Sequence, residues 1–290
     1  MSAGARRAPG IVGLVVPGPA RRLGVEPYFV ELADGIEEVL HPQGFGVMVL
    51  AVDDLQEELA AYRRWSRDAE VDAVVVVDLV VDDVRPHALD ALDLPYVLAA
   101  HVDSPFACTS EAADDAVRVR SAVDFLTGLG HRRLGHVCGP PHLVHTQERQ
   151  AALRARAHEL GLAVSTVVAD YTAASGVRAL TSLLQRPEPP TAVLFDNDVM
   201  AVAALEHLTA TGRAVPGELS LLSMDDSPLC ELSVPPVSAM SLDVHHRGER
   251  LAAAVLSVLA GGDAHHPPIG PSHVVVRGTT AAPAALGAGV

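Results

Sequence analysis

Short β-branched and aliphatic runs recur along this chain at intervals of roughly 20 to 30 residues, and each is followed by a stretch with apolar residues at helical spacing. That alternation is the strongest constraint on the fold, because successive strands joined through helices pair in parallel and need helices to cover the sheet. In the first half the expected strands are Ile11 to Val16, Phe45 to Ala51, Val71 to Val77 and Tyr96 to Ala100. Between them, Phe29, Leu32, Ile36, Val39 and Leu40 mark one helix, and Leu55, Leu59 and Tyr62 another. The run from Val71 to Val77 is apolar throughout, as befits a strand buried on both faces.

The second half repeats the plan. A helix is expected from Asp114, whose carboxylate suits the positive end of the helix dipole, to Leu129, with Gly130 as its stop. Strands follow at Leu134 to Cys138, Val164 to Ala169, Ala192 to Phe195 and Leu219 to Met224. They alternate with helices around Glu148 to Leu160, Gly176 to Gln185 and Val199 to Thr211. After Pro235-Pro236 come a helix from Val244 to Leu259, a final strand from His273 to Arg277, and an Ala/Gly-rich tail from Ala281 to Val290 that is expected to fray.

Composition narrows the class. The chain has 290 residues, enough for two lobes, and 49% of them are hydrophobic but only 3% aromatic. The interior must therefore be Val, Leu and Ala, the substance of parallel sheets under Ala-rich helices, which makes the fold class α/β with two wound sheets. A formal charge of −15 without a basic stripe opposes phosphate binding by these residues themselves. No stretch is apolar enough for a secretory signal or a membrane span, and Cys108, Cys138 and Cys230 form no Cys-x-x-Cys pair, so a reducing cytoplasm is the expected location.

The commonest chemistries lack their parts. Pro17-Gly18-Pro19-Ala20 occupies the first strand-to-helix turn, where a dinucleotide would need glycines and free amides. Nucleophile elbow, phosphate-binding loop and His-Glu-x-x-His helix are all missing, so no catalytic residue and no cofactor is expected. His136, Cys138, His142 and His145 have metal-ligand chemistry, but they straddle Gly139-Pro140-Pro141 and would meet in a tetrahedron only by chance of loop shape; no metal is expected there. His245-His246 and His265-His266 read as solvated surface pairs.

A better candidate lies just past the carboxyl ends of the expected strands, the edge where open α/β sheets bind ligands. His101, Asn197 and Asp198, Asp225 and Asp226, and Arg149 near the start of a helix all fall there. Imidazole, amide, carboxylate and guanidinium together suit a small polar, polyhydroxylated ligand. Taken singly, Asn and Asp before a helix are more often N-caps than ligand contacts; their common edge is what favours binding.

The same residues carry a resemblance to the LacI/GalR family of transcription regulators, and it runs along nearly the whole chain. Ile11-Val12-Gly13-Leu14-Val15-Val16-Pro17 is similar to the family's opening strand, and Pro27-Tyr28-Phe29 with Gly35-Ile36-Glu37 to its first helix. Gly130-His131-Arg132-Arg133-Leu134, Glu148-Arg149, Phe195-Asp196-Asn197-Asp198-Val199-Met200-Ala201 and Ser223-Met224-Asp225-Asp226 resemble its later signatures. The resemblance implies a type I periplasmic-binding-protein-like core of two Rossmann-like lobes with parallel sheets, joined by three crossings and closing on an effector. The N-lobe would be 11–112 plus 244–268 and the C-lobe 114–240 plus 271–280, with 1–10 a linker remnant and 281–290 a disordered tail.

Carried over residue by residue, Arg149, Asn197 and Asp225 match the family's effector contacts, Tyr28 and Phe29 its cleft aromatics, and His101 stands where many members have Arg. The implied partners are a small-molecule effector, a carbohydrate by the family's default, a second copy in a homodimer, and operator DNA through an N-terminal helix-turn-helix head that this sequence does not include. Leu242 replaces a common cleft Gln and Ala152 a common Gly, and the loop Gly18 to Pro27 carries Arg21 and Arg22. A solute-binding protein of a sugar transporter shares the architecture but requires export; a sugar-modifying α/β enzyme would rest only on scattered histidines and carboxylates.

Overall fold

A computed structural model of the chain describes residues 10–17, 26–99, 112–264 and 272–284. The chain forms two compact units, Met1–Ala112 with Asp243–Ile269, and Ala113–Leu242 with Gly270–Val290. It therefore changes unit three times, and each unit has its own sheet.

The first unit is a parallel sheet in the order β2-β1-β3-β4, from β1 (Gly10–Pro17), β2 (Phe45–Val52), β3 (Ala73–Val76) and β4 (Tyr96–Leu98). Every residue of β3 is buried, as its unbroken apolar run requires. Helix α1 (Pro27–Leu40) opens with Pro27 at its first turn and buries Phe29, Leu32, Gly35, Ile36 and Leu40, one stripe at helical spacing. Helix α2 (Leu55–Asp68) is capped by Asp54, whose side chain accepts from the Glu57 N–H, and lays Trp65 over Gly13. A short α3 (Arg85–Asp90) follows β3, and Arg85 there pairs with Glu58 at 3.1 Å and Asp83 at 2.6 Å in the interior.

The second unit is a six-stranded sheet, β10-β9-β8-β7-β5-β6, parallel except for β10 (Val274–Val275) against β9 (Ser238–Met240). Its elements are α4 (Ala112–Gly128), β5 (Arg133–Cys138), α5 (Val144–Leu160), β6 (Ala163–Val168), α6 (Ala173–Leu184), β7 (Ala192–Phe195), α7 (Asp198–Ala210), β8 (Ser220–Ser223) and α8 (Pro228–Leu232). Helix α9 (Val244–Leu259) belongs to the first unit. Since β6 and β7 lie on opposite sides of β5, the winding reverses there, and a crevice must open at the carboxyl ends of β5 and β7.

Several expectations need correction. Gly10 belongs to β1 rather than to a linker, because it pairs with Phe45 of β2. The last strand is two residues rather than five, because only Val274 and Val275 pair with β9. The strand β9 and helix α8 have no periodic signal, being too short to show one. The tail does not begin to fray at Ala281: its carbonyl accepts from Ser220 Oγ at 3.1 Å and lies 2.9 Å from His131 Nε2, and its N–H donates to Ser220 Oγ. Residues 1–9, the loop with Arg21 and Arg22, His101, Cys108, His265-His266 and 285–290 lie outside the described residues. Among the described residues, no helix is long and apolar enough to cross a membrane.

Candidate functional site

The crevice edge of the second unit is built by loops that leave β5, β7 and β8. Asp196, directly after β7, is fully buried and shared between two partners. His136 Nε2 lies 2.8 Å from its Oδ1, and the Gly139 N–H donates to its Oδ2 at 3.0 Å. Burial alone would raise this carboxyl, but His136, Arg149 and the Gly139 amide outweigh it and hold it below the ordinary carboxylate range.

Arg149, on the second turn of α5, donates from Nε to Asp115 Oδ1 at 3.0 Å and from Nη1 to the Asp196 carbonyl at 3.1 Å. Burial disfavours its charge, but Asp115, Asp196 and Asp225 more than compensate, so the guanidinium stays charged. Arg118, one turn along α4 from Asp115, donates to the same Asp115 oxygen at 3.1 Å and to the Met224 carbonyl, and lies 4.0 Å from Asp225 Oδ1. Two guanidinium groups thus converge on the ends of β7 and β8.

Asp225 remains short of support. Its side chain is 17% exposed, and burial, with Asp198 and Asp115 nearby, pushes its carboxyl up to about 7 against the pull of Arg149 and Arg118. A carboxyl in that condition gains when a ligand brings hydroxyl donors to it. Its neighbour Asp226 is differently placed: Arg277 holds both its oxygens, at 2.7 and 3.1 Å, so it pins the last strand to the sheet.

Asn197 takes the role of an N-cap. Its Oδ1 accepts from the Met200 N–H at 3.0 Å and its Nδ2 donates to the Tyr171 carbonyl at 3.1 Å, so most of its amide is already engaged. Tyr171 has a left-handed backbone, φ 65°, and its hydroxyl is 2.8 Å from His145 Nε2 and 3.2 Å from Thr146 Oγ1. A Cβ on Gly139 would lie 2.0 Å from that hydroxyl, so only glycine fits beneath it.

The four histidine and cysteine residues around the Gly-Pro-Pro turn go separate ways. His136 faces Asp196 and His145 faces Tyr171; Cys138 Sγ accepts from Gln150 at 3.2 Å, and burial pushes its thiol up to about 11; His142 is exposed.

In the first unit Tyr28 and Phe29 meet edge to face, with centroids 5.1 Å apart. Phe29 is only 4% exposed and belongs to the core, whereas Tyr28 is half-buried and its ring lies under the Arg247 guanidinium at 5.9 Å. Sequence reasoning overlooked Asp115, Arg118, Tyr171 and Arg247. A signal for the first two was present, an acidic and a basic residue three apart on the same face of α4 as Val119 and Ala122.

Residues 123–280 match the family model described as a periplasmic binding protein-like domain. The HTH-type transcriptional regulator CelR of Thermobifida fusca is 30% identical over 258 residues, covering 86% of this chain and 75% of that protein. The crystal structure of a LacI family transcriptional regulator from Bifidobacterium animalis subsp. lactis superposes with a TM-score of 0.81 at 29% identity, over 95% of this chain and 98% of the other. A transcriptional regulator CelR in complex with cellobiose superposes with the same TM-score of 0.81 at 26% identity, over 94% of this chain and 86% of the other. With parallel sheets wound as in those proteins, and the site residues at the carboxyl edge where such sheets bind ligands, this chain belongs to the LacI family of transcriptional regulators and comprises their periplasmic-binding-protein-like effector domain.

Proposed function

We propose that this chain senses a carbohydrate effector, with Arg149, Asp225 and Asn197 as its contacts in the second unit. The observation that carries the reading is the pairing of an anchored guanidinium with an under-supported carboxylate at the crevice of the second sheet. A sugar's vicinal hydroxyls offer a donor and an acceptor side by side, and an Arg and an Asp at one edge meet both. The CelR structure in complex with cellobiose makes a disaccharide the first ligand to try. Phe29 serves as the buried platform under Tyr28, and His101 is a further contact implied by the family resemblance.

The effector is bound and released unchanged, in the cytoplasm, by a homodimer whose affinity for operator DNA depends on occupancy. A coupling of roughly 1 to 3 kcal/mol between effector and DNA is sufficient, changing DNA affinity about 5- to 150-fold. Titration calorimetry with cellobiose, followed by a panel of other sugars, tests the reading: saturable binding is expected, lost in both Arg149→Met and Asp225→Asn. Unchanged affinity in those two variants removes the site assignment. Chemical alteration of the ligand, followed by mass spectrometry, removes the sensor reading.

A further inference from the structure

Helices α1 and α9 come from opposite ends of the chain and cross at very close range, with Gly248 against Leu32 and Ile36, and Gly35 against His245. A Cβ on Gly35 would lie 2.0 Å from the His245 carbonyl oxygen, and one on Gly248 would lie 2.3 Å from the Leu32 carbonyl oxygen. Backbones in contact fix the positions from which the flanking side chains project. Those side chains are an imidazole surrounded by carboxylates. His245 Nε2 is 2.8 Å from Glu38 Oε2 and 3.9 Å from Glu249 Oε1, and its Nδ1 is 3.4 Å from Asp34 Oδ2. The other oxygen of Glu249 is 2.6 Å from His246 Nδ1.

We propose that Glu38, His245 and Glu249 form a site for a divalent transition-metal ion, zinc being the best match, that clips α9 to α1. Their ligand atoms lie within 4.8 Å of one another. Ligands held about 2.1 Å from zinc in a tetrahedron are about 3.4 Å apart, so side-chain rotations that move the carboxylates by about an ångström close the set. One nitrogen and two carboxylate oxygens suit zinc or a neighbouring first-row ion, with water in the open position.

The surroundings supply what metal-bound histidines need. Asp34 lies 3.4 Å from the nitrogen that faces away from Glu38 and Glu249, where it can hold the Nδ1 proton once an ion takes Nε2. His246 orients Glu249 in the same way. Three carboxylates around His245 more than balance its charge, and a dication corrects the excess. The alternative reading, a pair of surface salt bridges, gives the crossing little stability by itself.

Thermal unfolding of the 290-residue chain, stripped by chelator and then titrated with zinc chloride, tests the site. At an ion concentration about 100 times the dissociation constant the midpoint is expected to rise by roughly 5 °C. His245→Ala and Glu38→Gln are each expected to abolish the rise, and His142→Ala, at an exposed histidine of the other unit, to keep it. Anomalous diffraction at the zinc edge should place one ion against Glu38, His245 and Glu249. A midpoint that zinc leaves unmoved overturns the proposal, as does an equal rise in Glu38→Gln, which would mean an adventitious ion only. Glu38 is exposed, so its variant decides the matter even if His245→Ala fails to fold. Cellobiose titration of Glu38→Gln keeps this outcome separate from the effector reading, since Glu38 is not among the proposed sugar contacts.

Discussion

Replacing Asp225 by asparagine removes a carboxylate that the folded chain holds at a cost. Its carboxyl titrates at about 7 in the folded chain against 3.8 when unperturbed. Burial and the nearby Asp198 and Asp115 outweigh Arg149 and Arg118, so the folded state binds this proton more tightly than the unfolded state does. Below about pH 4 the group is neutral in both states and costs nothing. As pH rises through the interval between the two values, the unfolded chain ionises first and the folded state loses stability. Above about pH 7 the loss is complete, at about 2 to 4 kcal/mol once partial exposure is allowed for. The Asp225→Asn change keeps the size of the side chain and leaves the bond from the residue's backbone N–H to Ser223 Oγ intact. Urea unfolding of parent and Asp225→Asn from about pH 4 to about pH 8 is the assay. The two should be nearly equal in acid, and the variant more stable by the stated amount at the alkaline end. A gap that is flat with pH, or one that favours the parent at about pH 8, refutes the electrostatic reasoning.

Asp196→Asn should behave in the opposite sense, because the parent carboxyl is held below its ordinary range. The parent's advantage is present at neutral pH and disappears as pH falls through that lowered value, so the gap in unfolding free energy should shrink in acid. Arg149→Met takes one of the two guanidinium groups from Asp115 and a donor from the Asp196 carbonyl, and should cost about 3 kcal/mol in a urea titration. Gly35→Ala drives a methyl into the His245 carbonyl and should cost roughly 2 kcal/mol or more, read as a lowered melting midpoint; an unchanged midpoint would show that α1 and α9 can separate freely.

Much of this molecule is legible in one dimension. Alternating apolar runs and helical stripes dictate an α/β fold, because a strand such as β3 that is apolar on both faces must be covered by helices on both. Placement of Arg149, Asn197 and Asp225 at one sheet edge follows as well, since residues after a parallel strand emerge at its carboxyl end. These are consequences of backbone sterics and side-chain periodicity, which act over a few residues and leave a pattern in the sequence.

What each of those side chains does there was decided only by tertiary contacts. Asn197 could be a cap or a ligand contact by its position; the Met200 amide and the Tyr171 carbonyl make it a cap first. Arg118 gives no local sign that its guanidinium reaches the Met224 carbonyl, 106 residues away, and the separation of 207 positions between Glu38 and His245 hides their meeting altogether. The Ala/Gly-rich composition of the tail predicts fraying, yet His131 and Ser220 hold Ala281 through its backbone, which composition does not encode. Hydrogen bonds and charges depend on distances through space, and only the wound sheets and the glycine-tight crossing of α1 and α9 set those distances.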